Sequence, residues 1–182
     1  MVLKRLALCV ALAACAPVVP ARAPRVELPA TDGAEHALVD GRPTVIVFYA
    51  DHCPCFAAHA ARLAALARDF EPRGVRFLLV DSEVSATVQR DAAEARARGY
   101  ALPILIDHGG RVANALGAEY ATYTVVLDRD GRLVYHGGID DERHDLTSHP
   151  DEYLRHALED VVAGRRVRRP EAEVLGCALQ TW

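Results

Sequence analysis

The sequence predicts an α/β protein with one central sheet, and three observations carry that expectation. Runs of β-branched and aromatic residues, such as "TVIVFYA" at 44–50 and "GVRFLLVDSE" at 74–83, alternate with alanine-rich stretches whose apolar residues recur at helical spacing. Glycine, proline and aspartate punctuate the alternation. Near the end, two apolar runs follow one another across a turn before a last amphipathic stretch, which suits a sheet covered by helices. Taken in order, "RVELPATDGAEHALVDG" offers two short extended pieces around Asp32-Gly33, a hairpin signal. The run Thr44 to Ala50 follows Pro43 and is long enough for a buried strand. Residues 55–70 form a helix on which Leu63, Leu66 and Phe70 share a face. Val75 to Val80 is a strand entered through Gly74, and Thr87 to Arg98 a helix ended by Gly99. "LPILIDHGG" supplies a short buried strand and "RVANALG" a helical turn or two. "TYTVVLDRDGRLVYHGG" reads as a hairpin around Asp130-Gly131. The last helix lies in "SHPDEYLRHALEDVVAG", with Ser148 or His149 near its start, Pro150 in its first turn and Gly164 past its end. The resulting order is β-β-β-α-β-α-β-α-β-β-α.

The two ends speak to location. "MVLKRLALCVALAACAP" has basic Lys4 and Arg5, then an apolar stretch of about ten residues and small residues leading to Cys15, the layout of a secretory signal. A membrane-spanning helix would need about 20 apolar residues. Leu12-Ala13-Ala14-Cys15 resembles a bacterial lipobox, which implies cleavage before Cys15 and lipidation of that cysteine. An ordinary cleavable signal is the alternative, and either one places the mature protein outside the cytoplasm. The expected organisation is a lipoprotein signal peptide at 1–14, a proline- and alanine-rich tether at 15–24, one domain at 25–164 and a tail at 165–182. The formal net charge of −4 becomes more negative once Lys4 and Arg5 are lost, and without a global basic excess no nucleic-acid partner is expected. The cluster Arg165, Arg166, Arg168 and Arg169 stands beside Glu171 and Glu173 and reads as solvated linker, or as a weak contact with anionic lipid.

Chemistry concentrates in "FYADHCPCFAAHA", where Cys53 and Cys55, separated by Pro54, stand at a strand-to-helix junction. Unpaired amides and the helix dipole at such a junction favour thiolate over thiol. A protonated His52 would add to this and Asp51 would oppose it. A disulfide between Cys53 and Cys55 closes a very small ring, and strained bridges are easily reduced. With Cys15 consumed by lipid, Cys53, Cys55 and Cys177 remain, so one pair leaves one thiol over. Cys177 lies in "VLGCALQTW", where Gly176 frees the backbone and Leu175, Leu179 and Trp182 provide apolar contacts for docking. Two roles stay open for it: resolving a bridge at the active site, or packing as a buried hydrophobe. A metal reading competes, because Cys53, Cys55 and His59 form C-P-C-x-x-x-H, a soft set suited to Cu(I) or Zn(II). Otherwise His59 is a polar residue on a helix face.

These stretches carry a resemblance. "FYADHCPCF" is similar to the thioredoxin-type segment that presents a cysteine at a helix start, and the similarity continues through "VLDRDGRLVYHGGIDD" and "ALEDVVAGRRVRRPEAEVLGCAL". Residues 25–179 resemble the peroxiredoxin-like branch of the alkyl hydroperoxide reductase and thiol-specific antioxidant (redoxin) family. The resemblance implies a thioredoxin-like fold, with a central mixed sheet flanked by helices, an N-terminal β-extension and a C-terminal tail. It implies a thiol-disulfide oxidoreductase with Cys53 as nucleophile and with antioxidant, peroxide-reducing activity in view. No cofactor is implied. The partners would be a protein or small-molecule thiol, disulfide or peroxide, a reductant, and the membrane through the lipid anchor.

Three departures qualify the match. Phe56 stands where a C-x-x-C motif has its second cysteine. The peroxidase pattern P-x-x-x-T-x-x-C is missing, with Ala50 three residues before Cys53 and His52 three before Cys55. Thr122 takes the place of the cis-proline. A non-catalytic copper carrier or interaction module is therefore the alternative class, with His108, His136 or His144 as the distant ligand. The "HGG" triplets at His108 and His136 read as turns, and "DDERHD" at 140–145 as a solvated loop. Phosphate-binding, dinucleotide and zinc-protease motifs are missing from the sequence.

Overall fold

Alternation of side chains along one strand organises the molecule. The computed structural model describes residues 22–181; the expected signal peptide, Cys15 and most of the expected tether lie outside the described residues. Strand β3 (Thr44–Tyr49) is buried along its whole length. Val45, Val47 and Tyr49 face one apolar cluster with Leu63, Phe70, Leu154 and Leu158. Ile46 and Phe48 face the other, with Leu28, Val112, Leu116 and Tyr123. A β-branched run without polar alternation is what a strand covered on both faces requires.

Hairpin β1 (Glu27–Pro29) and β2 (Glu35–Ala37) pairs antiparallel around Asp32-Gly33. It stands apart from the main sheet and touches its edge where Ala30 bridges Leu105. The main sheet has five strands in the order β5-β4-β3-β6-β7: β4 is Arg76–Asp81, β5 is Ile104–Ile106, β6 is Thr124–Leu127 and β7 is Leu133–Gly137. Strands β3, β4 and β5 run parallel, joined through α1 (Pro54–Phe70) and α2 (Val88–Arg98). The β6–β7 hairpin adds antiparallel to β3. Helices α3 (Arg111–Leu116) and α4 (Tyr153–Val162) complete the α/β arrangement.

Caps set the helix ends where the sequence places them. Thr87 accepts from the Arg90 amide at the start of α2, and Gly99 closes it with a left-handed backbone. Helix α1 begins one residue earlier than expected, with Pro54 in its first position, where a missing N–H costs nothing. Two expectations need correction. Helix α4 starts at Tyr153, so Ser148, His149 and Pro150 precede it; the Asp151 amide donates to Asp141 and the Thr147 amide to Glu142, which holds this segment as a loop. His136 lies inside β7 rather than in a turn.

Beyond α4 the chain stays on the domain. Arg165 and Arg168 pair with Asp160 at 2.8 and 3.0 Å, and Arg169 pairs with Asp151 while stacking over Tyr153. The four clustered arginines are solvated as expected, but three of them pair with the domain instead of forming a free linker. The tail then follows the outer edge of β7, where the His136 and Gly138 amides donate to Pro170 and Glu173.

Candidate active site

Strand β3 ends at Tyr49, and the turn at Asp51 and His52 delivers Cys53 to the N-cap of α1 with an extended backbone. The Phe56 amide, one of the orphan donors of the first turn, points at Cys53 Sγ from 3.4 Å. Phe56 packs edge-on against Tyr49 and Tyr100, with ring centroids 4.8 and 5.5 Å away, so the position of a missing second cysteine instead anchors the helix start. Cys55 lies one residue into α1, and Cys53 and Cys55 are only 2% and 4% exposed.

The tail supplies the third sulfur. The Ala121 amide donates to the Cys177 carbonyl at 2.8 Å, and the Leu179 amide to the Glu119 carbonyl at 2.9 Å, so residues 177–179 lie antiparallel to 119–121. The Gln180 amide donates to the carboxylate of Glu83, and the Val84 amide to the Gln180 carbonyl. A Cβ on Gly176 would sit 1.8 Å from the Ala121 carbonyl oxygen, so no other residue fits the crossing. Thr122 holds φ at +75°, an uncommon conformation for a β-branched residue, while its amide donates to Phe48 and its hydroxyl to the Leu175 carbonyl. Among the described residues no peptide bond is cis.

These contacts bring Cys53, Cys55 and Cys177 together as free thiols, with every pair of sulfurs within 4.8 Å. The cluster is electrostatically unequal. Burial pushes the Cys55 thiol up, reinforced by the neighbouring charge of Cys53 and by donation of its own S–H to that sulfur. Burial and donation to Cys53 push Cys177 up to about 12. Both neighbours of Cys53 are thus harder to ionise than a free thiol, while the Phe56 amide is the donor aimed at Cys53 Sγ.

The flanking residues behave differently from expectation. His52 is exposed and turns toward Asp51 (3.3 Å) and Glu83 (3.5 Å), two carboxylates, instead of standing over Cys53. His59 is buried, not a polar face residue: Nδ1 meets the Cys55 carbonyl at 2.7 Å and Nε2 meets Asp140 at 2.9 Å. Both ring nitrogens are occupied, so Cys177 rather than His59 completes the set with Cys53 and Cys55. His108 and His144 are exposed, and neither they nor His136 belong to the thiol cluster.

Sequence reasoning missed Asp140. It opens the acid-rich loop, yet it is 3% exposed and also accepts from Arg62 at 2.7 Å. The available signal was His59 itself, a polar residue inside the apolar stripe Phe56, Leu63, Leu66 and Phe70. A second buried network was missed as well. Arg90 lies between Asp81 at 2.6 Å and Asp91 at 2.8 Å, and burial pushes Asp81 up to about 8 and Asp91 in the same direction.

Comparison with known proteins agrees with this geometry. An uncharacterized conserved protein from Geobacillus kaustophilus superposes with a TM-score of 0.81 at 29% identity, covering 91% of this chain and 94% of that one. A hypothetical protein from Sinorhizobium meliloti 1021 gives 0.81 at 28% identity, covering 92% and 96%. Peroxidoxin BcpB from Mycobacterium tuberculosis shares the fold, with a TM-score of 0.60 at 22% identity over 79% and 96% of the chains. No curated protein matches the sequence. The model of the AhpC/TSA family matches residues 19–136, a span that holds strands β1 to β6, most of β7, α1 and the C-x-C pair. On that match and on its thioredoxin-like architecture, the chain belongs to the AhpC/TSA family.

Proposed function

We propose that the protein is a thiol-disulfide oxidoreductase in which Cys53 attacks and Cys177 resolves. The observation that supports this most directly is the convergence of three free sulfurs within 4.8 Å at a helix N-terminus, one of them brought by the tail. In the reducing direction, the Cys53 thiolate attacks a substrate disulfide, forming a mixed disulfide and releasing one substrate thiolate. Cys177, once deprotonated, attacks the Cys53 sulfur and releases the second substrate thiolate. Two electrons have then passed from the protein to the substrate, and an external dithiol restores Cys53 and Cys177. Cys55 stands by as the alternative partner through a strained C-x-C bridge.

Val84 and Tyr120 are the exposed large apolar side chains among the described residues. They flank the tail where it crosses, which suits a protein disulfide as substrate. Membership of the AhpC/TSA family supports peroxide as a second substrate class. Attack on peroxide would leave a sulfenic acid at Cys53, and condensation with the Cys177 thiol would give the same disulfide plus water. Ala50 at the threonine position of the peroxidase pattern makes this the slower activity.

The signal-like N-terminus supports an exported, lipid-anchored protein facing the periplasm, with Cys15 as the acylated residue. A single-turnover reaction with a disulfide-bonded peptide tests the chemistry. Cys53→Ser should abolish the reaction, and Cys177→Ser should accumulate a peptide mixed disulfide on Cys53, seen by intact mass. Undiminished turnover by Cys53→Ser would contradict the assignment.

A further inference from the structure

We infer that the reduced protein binds one Cu(I) ion in a three-coordinate site made by Cys53, Cys55 and Cys177. The geometry is close to ligation already. A trigonal site with metal–sulfur bonds of about 2.3 Å has sulfurs about 4.0 Å apart. The three Sγ atoms lie within 4.8 Å of one another, so each would move inward by less than about 0.5 Å. Two ligands come from the first turn of α1, and the third arrives on a strand-like tail pinned at Ala121, Glu119 and Glu83. This is a more rigid support than three side chains on free loops.

The donor set selects the ion. Three thiolates are soft ligands, which favours Cu(I) over hard cations. Zn(II) takes four protein ligands in structural sites, or three and a water in catalytic ones. The imidazoles nearest in sequence are committed elsewhere, His59 to the Cys55 carbonyl and Asp140, and His52 to Asp51 and Glu83. Cys53 and Cys55 are almost fully covered, which leaves little room for a water ligand. Cu(I), with a filled d shell, is satisfied by three sulfurs. Binding of one Cu⁺ releases the three thiol protons to solvent and leaves a CuS3 centre of net negative charge, with no change in oxidation state. The resulting negative charge faces the Phe56 amide, whose nitrogen lies 3.4 Å from Cys53 Sγ. Because the same sulfurs cannot be both oxidised and metallated, the copper-loaded protein is silent in exchange. The inference needs only reduced thiols and does not rest on the proposed exchange reaction.

The test uses the full chain with Cys9 and Cys15 replaced by serine, reduced and kept anaerobic. It is titrated with Cu(I) against a chromogenic Cu(I) chelator, and the loaded protein is examined by X-ray absorption. The expected result is one Cu(I) per chain, three sulfurs at about 2.3 Å, and affinity that rises with pH as protons are released. Cys177→Ser should reduce the shell to two sulfurs and weaken binding by at least about tenfold, with an unchanged circular dichroism spectrum confirming the fold. An unaltered affinity and sulfur shell in Cys177→Ser would overturn the site, as would preferential uptake of Zn(II) from an equimolar mixture. Loss of peptide-disulfide turnover with copper binding intact would overturn only the exchange reading.

Discussion

His59 bridges two groups at once, the Cys55 carbonyl through Nδ1 at 2.7 Å and Asp140 through Nε2 at 2.9 Å. The ring thereby ties the first turn of α1, where Cys55 sits, to the start of the loop before α4. Burial opposes ionisation of Asp140, but donors from His59, the Glu142 amide and Arg62 outweigh it and hold its carboxyl below the usual range. The folded state therefore binds this proton less readily than the unfolded chain. The stability gained is complete above about pH 4 and is lost as pH falls through the lower folded value. His59→Ala should cost about 3 kcal/mol in urea unfolding at pH 7, because it leaves a buried carboxylate short of a donor. In an acid titration of stability, Asp140→Asn should show a shallower decline below about pH 4 than the unsubstituted protein; an identical slope would remove Asp140 from the account. The sequence offered His59 in an apolar stripe as a signal but did not name its partner. The partners of Asp140 lie 78 and 81 residues away in sequence, and an acidic loop gives no sign of which carboxylate turns inward. The thiols themselves were legible, because two cysteines at a strand-to-helix junction are a local pattern.

Among the elements, the tail decides most about the site while having the least secondary structure of its own. Its path is fixed by close approaches at glycine: Gly138 passes the Glu173 carbonyl, and Gly176 passes the Ala121 carbonyl, each too tightly for a Cβ. Gly176→Ala should therefore lift residues 177–181 from Glu119–Ala121 without unfolding the sheet. The expected outcome is alkylation of Cys53 and Cys55 about tenfold faster, equivalent to about 1.4 kcal/mol of easier opening, with far-UV circular dichroism unchanged. Equal alkylation rates would show that the tail does not cover the thiols. Helices and strands were largely legible because caps and turns are local, as at Thr87, Gly99, Asp32-Gly33 and Asp130-Gly131. The start of α4 was not, since Ser148 and Pro150 look like a helix start and only the bonds of Thr147 and Asp151 to nearby acids keep the segment in a loop. The docking of the tail was suggested by its apolar residues, but its antiparallel register with 119–121 depends on a partner more than fifty residues away and leaves no local trace.

For the whole molecule, the fold follows from β3 being buried on both faces, and the thiols sit at the strand end where the parallel sheet meets α1. No helix of the described residues is long and apolar enough to cross a membrane. Under the proposed attachment by lipid at Cys15, full-length protein should sediment with membranes while Cys15→Ala appears in the soluble fraction. Soluble unsubstituted protein after expression in a lipoprotein-processing bacterium would contradict the anchor. Such an anchor would leave the thiol cluster facing an oxidising compartment, where its chemistry depends on which sulfurs pair. Mild oxidation of the reduced protein with diamide, followed by non-reducing peptide mapping, measures that pairing. The account predicts a crosslink between the peptides carrying Cys53 and Cys177. A Cys53–Cys55 bridge alone, with Cys177 recovered as a free thiol, would contradict it.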